Sequence, residues 1–495
     1  MSSSPPSSFP FSLSNLPTQL FINNEYVDPL NPTNALHVSN PTNNTLVSSS
    51  VPLAGEADVN AAVSAAEAAF PAWRSTPAST RRTILLKFAS LIETHARALA
   101  DLTRITLGAP YDAFGKFETR LAAQSFEYNA GWIDKFAGEA YPQQHDGFLR
   151  ITRHEPLGVT AGIVPWNGPL GTVGLKAAPA LATGNCFILK PSEKTPFAAL
   201  ALGHLIREAG FPAGVFQVLS GDGSTGALLA SHMRIRKVSF TGSIATGKRI
   251  QKMAAESNLK RVTLELGGKS PAVVFDDCNL DNAVSWCVNA ITANSGQVCF
   301  AASRVYVQDG VREEFTRRYK AALEERAKAI KDPEEEGTLM GPLVDEAQFR
   351  RVQGFVDRGV QAHKLLTGGK RVGEKGFFIQ PTVFEGVEAD AELYREEIFG
   401  PVAILNSFTS EEEVISKANA TEYGLMAGVF TQDINRAMRV ASEFESGMVG
   451  INCISLNFLN VPFGGSKQSG LGRECGRAAL EHFTEPKTVM INLTY

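Results

Sequence analysis

Three short apolar runs at 159–164, 187–189 and 215–219 constrain this chain more than any other feature. Helical patterns over 175–181 and about 196–210 separate them, so the strands recur about every 25–30 residues. Short runs that are mostly apolar, with Thr160 and Gln217 as the polar exceptions, read as strands with both sheet faces covered, and intervening helices make them parallel. The result is a βαβαβ rhythm, the half-unit of a dinucleotide-binding fold. The first run ends in the turn-rich Pro165-Trp166-Asn167-Gly168, the second in Lys190-Pro-Ser-Glu193. Upstream, Val59, Val63, Ala66 and Phe70 recur at helical spacing, with Pro71 expected to end that helix.

The pattern restarts after Leu264-Glu265-Leu266, with a strand at 272–275, a helix over 280–293 and a strand at 304–307. The charged helix expected over 312–330 reads as a solvated face. The fold class is therefore α/β, with a second domain opening near residue 266. A length of 495 residues fits two or three domains.

Charge and cysteine usage narrow the function classes. The net charge of −4 and pI near 6.1 give no footing for nucleic acid. No apolar run approaches the roughly 18 residues of a membrane span. The six cysteines at 186, 278, 287, 299, 453 and 475 form no CxxC pair and no Cys/His ligand spacing, so no metal site is expected. They read as reduced thiols. The Ser/Pro-rich N-terminus carries no Lys or Arg before Arg74 and the C-terminus is not a peroxisomal signal. Residues 1–19 are expected to be a disordered tail, and the protein cytoplasmic.

Cys299, in Asn294-Ser-Gly-Gln-Val-Cys-Phe-Ala-Ala-Ser-Arg304, stands where a nucleophile could sit, between a turn-forming stretch and a strand. Buried cysteine is more often a small hydrophobe, and an unperturbed thiol near pKa 8.5 is mostly protonated at neutral pH. A working nucleophile needs an oxyanion donor and a base. Asn167 offers an amide just past a strand, although alone it is a plausible turn residue. Glu265 lies between leucines, which raise a carboxylate toward the range of a general base; capping the next turn is its alternative use. The segment from Gly242 to Lys248 matches seven positions of a phosphate-binding loop, but Arg249 stands where a hydroxyl should hold Mg²⁺. A glycine-rich turn at a helix N-terminus against a dinucleotide suits it better than an NTPase.

Together these residues resemble the aldehyde dehydrogenase superfamily over nearly the whole chain. The carriers are Pro165-Trp-Asn-Gly-Pro169, Lys190-Pro-Ser-Glu193, Phe240-Thr-Gly-Ser243, Leu264-Glu-Leu-Gly-Gly-Lys269, Gly296-Gln-Val-Cys299, Glu396-Glu-Ile-Phe-Gly-Pro401 and Pro462-Phe-Gly-Gly465. The resemblance implies a Rossmann-like cofactor domain, an α/β catalytic domain and a small β oligomerisation element. It implies boundaries at 20–134 with 155–265 for the cofactor domain and 266–467 for the catalytic one. Residues 135–154 and 468–495 would bridge subunits of a homodimer or homotetramer.

It further implies oxidation of an aldehyde to its acid through Cys299, with Asn167 at the oxyanion, Glu265 activating water, and Lys176 and Glu474 supporting proton transfer. NAD is the implied cofactor, with NADP possible: Lys190 and Glu193 at the adenine ribose, Trp166, Gly242 and Ser243 near the pyrophosphate, Glu397 and Phe399 at the nicotinamide ribose. The sequence departs from commoner members at Gly168, Gly171 and Thr172, where bulkier apolar residues are frequent, and at Asn457. With Phe300 and Phe463, these are expected to make a widened pocket for an uncharged aliphatic or aromatic aldehyde. The segment Gly465-Ser-Lys-Gln-Ser-Gly470 resembles that of semialdehyde and salicylaldehyde enzymes, and a semialdehyde dehydrogenase stays open as an alternative. A cofactor-independent cysteine esterase would need a histidine base, yet none of the eight histidines lies in a motif.

Overall fold

Two parallel sheets dominate the computed structural model, which describes residues 9–31 and 35–494. The first has eight strands. Its five parallel members lie in the spatial order Arg261–Glu265, Lys237–Thr241, Val159–Ile163, Cys186–Lys190 and Phe216–Val218. Leu20–Ile22 and Glu25–Val27 extend one edge antiparallel, and Gly470–Leu471 caps the other. Val159–Ile163 and Cys186–Lys190 are buried at every position, the polar Thr160 donating its hydroxyl to the Cys186 carbonyl at 2.8 Å. Chain order reverses between Val159–Ile163 and Lys237–Thr241. Parallel sheets open a crevice at the carboxyl ends of strands at such a point.

The second sheet has seven strands, in the order Lys364–Thr367, Thr382–Glu385, Val402–Phe408, Arg304–Gln308, Pro271–Val274, Met426–Phe430 and Met448–Ile451. Only Lys364–Thr367 is antiparallel. Strand alternation divides its residues between two cores: Val273, Tyr306 and Ile404 enter one, Val274, Val305 and Leu405 the other. Over Arg312–Ala327, only Phe315, Tyr319 and Leu323 are buried, at i, i+4 and i+8, so one stripe packs and the charged remainder faces water.

Several expectations need correction. The first helix runs through Pro71 to Ser75, its last turn anchored by the fully buried Trp73. Pro71 costs the helix the hydrogen bond to the Glu67 carbonyl, and burying Trp73 offsets that loss. Residues 9–19 are packed rather than disordered: the Phe9 ring stacks on His95 at 4.8 Å and Phe11 meets Tyr26 edge-on. Positions 1–8 lie outside the described residues. The C-terminal segment does not act as one bridging unit. Gly470–Leu471 joins the eight-stranded sheet, and Leu480 and Phe483 enter its core. Only Thr484–Asn492 pairs antiparallel with Phe148–Pro156, over nine residue pairs.

Candidate active site

The crevice at the strand-order reversal is where the quoted motifs converge. A cavity of about 330 Å³ there is lined by Pro165, Trp166 and Asn167 after one strand, and by Thr241, Gly242 and Ser243 after its neighbour. Leu266, Gly267, Cys299, Glu397 and Phe399 complete the wall, with Gln348 and Arg351 from the helix Glu346–Ala362. Ser243 caps the helix Ile244–Ser257, its hydroxyl accepting from the Thr246 N–H at 3.3 Å. That leaves a helix N-terminus, with its partial positive charge, at the cavity wall.

Cys299 lies on the turn after the short helical segment 293–296, where Asn294 and Ser295 both adopt positive φ. Two hydrogen bonds bind this loop to the opposite sheet: the Asn167 amide donates to the Gln297 carbonyl at 2.9 Å, and Asn294 donates to the Asn167 carbonyl at 3.3 Å. Gln297 is itself buried, accepting from the Val344 N–H and donating to the Asn294 carbonyl. Asn167 is thus held beside the cysteine, with one of its two amide hydrogens already used. Burial, with Glu397 and Glu265 adding to it, pushes the Cys299 thiol above its usual value; the amides of Cys299 and Phe300 pull the other way. A protonated resting thiol follows at neutral pH.

Glu265 ends its strand almost fully buried. Neither carboxylate oxygen takes a full hydrogen bond, the Gly465 amide offering only a weak one. The backbone approaches so closely that a Cβ on Gly464 would meet Oε1 at 2.5 Å, and Gly464 has φ of +153°. Burial first, and then the charge of Glu474, push Glu265 well above the ordinary carboxylate range. A buried carboxylate without partners is costly and needs an explanation beyond stability.

Behind it lies a fully connected polar cluster. Lys176 and Glu474 form a buried ion pair, and Lys176 also donates to Ser239 at 3.1 Å. Ser239 donates to Glu474, Thr263 to Ser239 at 3.1 Å, and Lys237 to Thr263 at 2.9 Å. Burial holds Lys237 well below the usual lysine value. Ser239, Thr263 and Lys237 were not legible as site residues, since a polar residue within a short strand reads as an exposed face.

Glu397 accepts from the Gly268 N–H at 3.1 Å, and burial raises it to about 7. A Cβ on Gly267 would collide with its other oxygen at 2.1 Å. Phe399 has φ of +59°, a strained value for a side chain of that size, and meets Trp166 edge-on at 5.2 Å. Lys190 is buried, donates to the Pro191 carbonyl at 2.9 Å and lies 3.7 Å from the half-exposed Glu193. Glu193 lines a second cavity of about 450 Å³ with Leu36, His37 and Ala347. The start of the helix Glu346–Ala362 borders both cavities, so Glu193 in one and Glu397 with Phe399 in the other lie on either side of it, while the buried Lys190 lines neither. The first cavity's helix N-terminus, glycine-bordered carboxylate and aromatic wall fit a dinucleotide.

On the other side of Cys299, Phe300 and Phe463 meet edge-on at 5.7 Å, and Leu121, Leu175 and Leu459 share their apolar cluster. Asn457 is half-buried in the nearby segment 452–461, where Ser455 donates to the Phe300 carbonyl. Gly171 does not widen this pocket as expected. A Cβ there would meet Glu118 Oε1 at 2.8 Å and Leu121 at 2.9 Å, so the helix Lys116–Ala130 already fills the space. At Gly168 the neighbours are Thr172 at 3.1 Å and Glu118 at 3.5 Å. Glu118 itself went unread. It lies two positions from both Lys116 and Arg120 in the first turn of its helix, where a carboxylate reads as solvated, yet it is 4% exposed.

The comparisons agree with this geometry. The model of the aldehyde dehydrogenase family matches residues 26–489. An aldehyde dehydrogenase of Emericella nidulans is 45% identical over 96% of this chain and 95% of its own. Aldehyde dehydrogenase, cytosolic 1, of Rattus norvegicus is 43% identical over 100% of this chain and 99% of its own. The NAD⁺ complex of an aldehyde dehydrogenase from Bacillus cereus superposes with a TM-score of 0.93 at 39% identity, covering 99% of both chains. The chain belongs to the aldehyde dehydrogenase family, enzymes that oxidise aldehydes to carboxylic acids with NAD(P).

Proposed function

We propose that Cys299 is the covalent nucleophile of this oxidation. One observation carries the reading: the thiol lies between a dinucleotide-sized cleft and an apolar cluster, within electrostatic reach of a buried carboxylate that has no full hydrogen bond. The partly exposed Cys299 thiol gives its proton to solvent water, and the sulfur adds to the aldehyde carbon to form a thiohemiacetal. Its oxyanion takes hydrogen bonds from the Asn167 amide and the Cys299 N–H; one such donor is worth about 3–4 kcal/mol. Bound NAD supplies the two-electron acceptor. Loss of hydride from the former carbonyl carbon leaves a thioester on Cys299. Glu265 takes a proton from water as its oxygen attacks the thioester, releasing the acid and the thiol. Its raised proton affinity suits that task. Lys176 and Glu474 hold the proton balance behind it.

Trp166, Gly242 and Ser243 bind the cofactor's phosphates, and Glu397 with Phe399 its nicotinamide end. Lys190 and Glu193 take the adenine ribose, where a carboxylate favours NAD over NADP. The aldehyde is an aliphatic or aromatic one without a carboxylate, its body against Phe300 and Phe463, with Thr172 and Asn457 on the approach. The buried Glu118 disfavours a carboxylated semialdehyde through like-charge repulsion.

We assign residues 20–134 and 155–265 to the cofactor domain and 266–467 to the catalytic domain. The ribbon of Phe148–Pro156 and Thr484–Asn492 pairs subunits into a homodimer or homotetramer. Its support is the outer edge of Thr484–Asn492, which pairs with no further strand among the described residues, with Phe148, Met490 and Ile491 exposed; residues 139–141 already bond to the other edge. The chain is placed in the cytoplasm on its likeness to a relative named cytosolic. Turnover of an aldehyde panel with each cofactor tests the activity, and intact-mass detection of an acyl adduct on Cys299 tests the covalent step. Turnover with no adduct trapped and an intact rate in Cys299→Ala contradicts it.

A further inference from the structure

Glu118 is a buried carboxylate without a countercharge. Among the described residues its only donors are the amides of Leu170 and Gly171, at 3.3 and 3.0 Å, and both reach Oε2. Those bonds cap the helix Gly171–Ala182 and use one oxygen. The other, Oε1, occupies the space that two missing side chains leave, 2.8 Å from a Cβ built on Gly171 and 3.5 Å from one on Gly168. Capping alone leaves Oε1 without a task, and burying a carboxylate is expensive.

Its position points to a task. Gly168 directly follows Asn167, the proposed oxyanion donor. Leu121, one helical turn beyond Glu118 on the same face, packs in the cluster that holds Cys299, Phe300 and Phe463. Gly168, Thr172, Leu121 and Leu459 are all half-buried, so the surroundings of the carboxylate are partly open to solvent. A larger residue at Gly168 or Gly171 would close off Oε1 or displace it.

We infer that Glu118 is a specificity-determining residue whose free oxygen accepts a hydrogen bond from a hydroxyl or ammonium group that the aldehyde carries away from its carbonyl. This deepens the covalent reading of Cys299 and rests on it. A site with an acceptor already in place penalises the hydrocarbon analogue, which leaves that acceptor unpaired.

Matched aldehydes test this. One pair is para-(hydroxymethyl)benzaldehyde with para-ethylbenzaldehyde, the other para-(dimethylaminomethyl)benzaldehyde, protonated at neutral pH, with para-isobutylbenzaldehyde. The wild type should favour the donor-bearing member of at least one pair in kcat/KM. Glu118→Gln, which keeps the size, should cut that preference by about tenfold, the loss of one charge-assisted hydrogen bond. A change in the hydroxyl pair alone identifies a neutral donor, and in the ammonium pair alone a charged one; either supports the inference. A preference unchanged in Glu118→Gln overturns it, including the case where all rates fall together because the residue merely positions the loop. Should that variant not fold, a wild type favouring the hydrocarbon member of both pairs overturns it equally. Failure here leaves the acyl adduct on Cys299 intact, whereas failure of the covalent reading removes the adduct for every aldehyde.

Discussion

The two sides of Cys299 solve different problems with different materials. The cofactor side is built from backbone: strand ends, a helix N-terminus and glycines whose missing side chains admit Glu397 and Glu265. The far side is built from side chains: an edge-on Phe300–Phe463 pair, leucines, and one carboxylate held by two amides. Backbone geometry fixes one invariant ligand, while side chains can change to suit many aldehydes. Changes near the cysteine or on the cofactor side should therefore cost every substrate alike, and changes on the far side should discriminate.

The largest test of that contrast is at the thiol itself. Cys299→Ala should lower NADH production by roughly 10⁴-fold or more for every aldehyde, with circular dichroism unchanged. Asn167→Ala should cost roughly 10²–10³ in kcat, again without regard to substrate, which a steady-state panel would show. A loss confined to some aldehydes would move Asn167 to the substrate side. Glu474→Gln leaves Lys176 as an unpaired buried cation and should cost about 3–5 kcal/mol in urea unfolding. A cost under about 1 kcal/mol would mean that the pair is wetter than its burial suggests.

The smallest effect concerns Glu118. Burial raises it from 4.5 to about 7, with the Gly171 and Leu170 amides opposing the rise. The folded protein therefore holds this proton more tightly than the unfolded chain. Stability falls as pH climbs through that interval, by about 3 kcal/mol at most. Relative to wild type, Glu118→Gln should melt higher at pH 8 than at pH 5; the reverse order would show that the carboxylate has a cationic partner.

Much of the cofactor side was legible in the sequence because backbone tasks leave compositional marks. Glycines just past a buried glutamate, as in Leu264-Glu-Leu-Gly-Gly, and the run Pro462-Phe-Gly-Gly465 mark close backbone approach in the sequence alone. The far side was misread at Gly171 for the converse reason. A glycine reports that space is needed, not which residue takes it, and the occupant lies 53 positions away in sequence. Lys237, Ser239 and Thr263 were missed because their meaning comes only from the parallel register that stacks Ser239 beside Thr263. The helix through Pro71 likewise depended on tertiary packing of Trp73, which overrides local propensity.

The central claim is that the chemistry divides into capture by Cys299 and release by Glu265. Stopped-flow absorbance of NADH with Glu265→Gln tests it most directly. The account predicts a burst of about one NADH per active site followed by a stall, because the thioester forms but water is not activated. Steady turnover at the wild-type rate with no burst would contradict it.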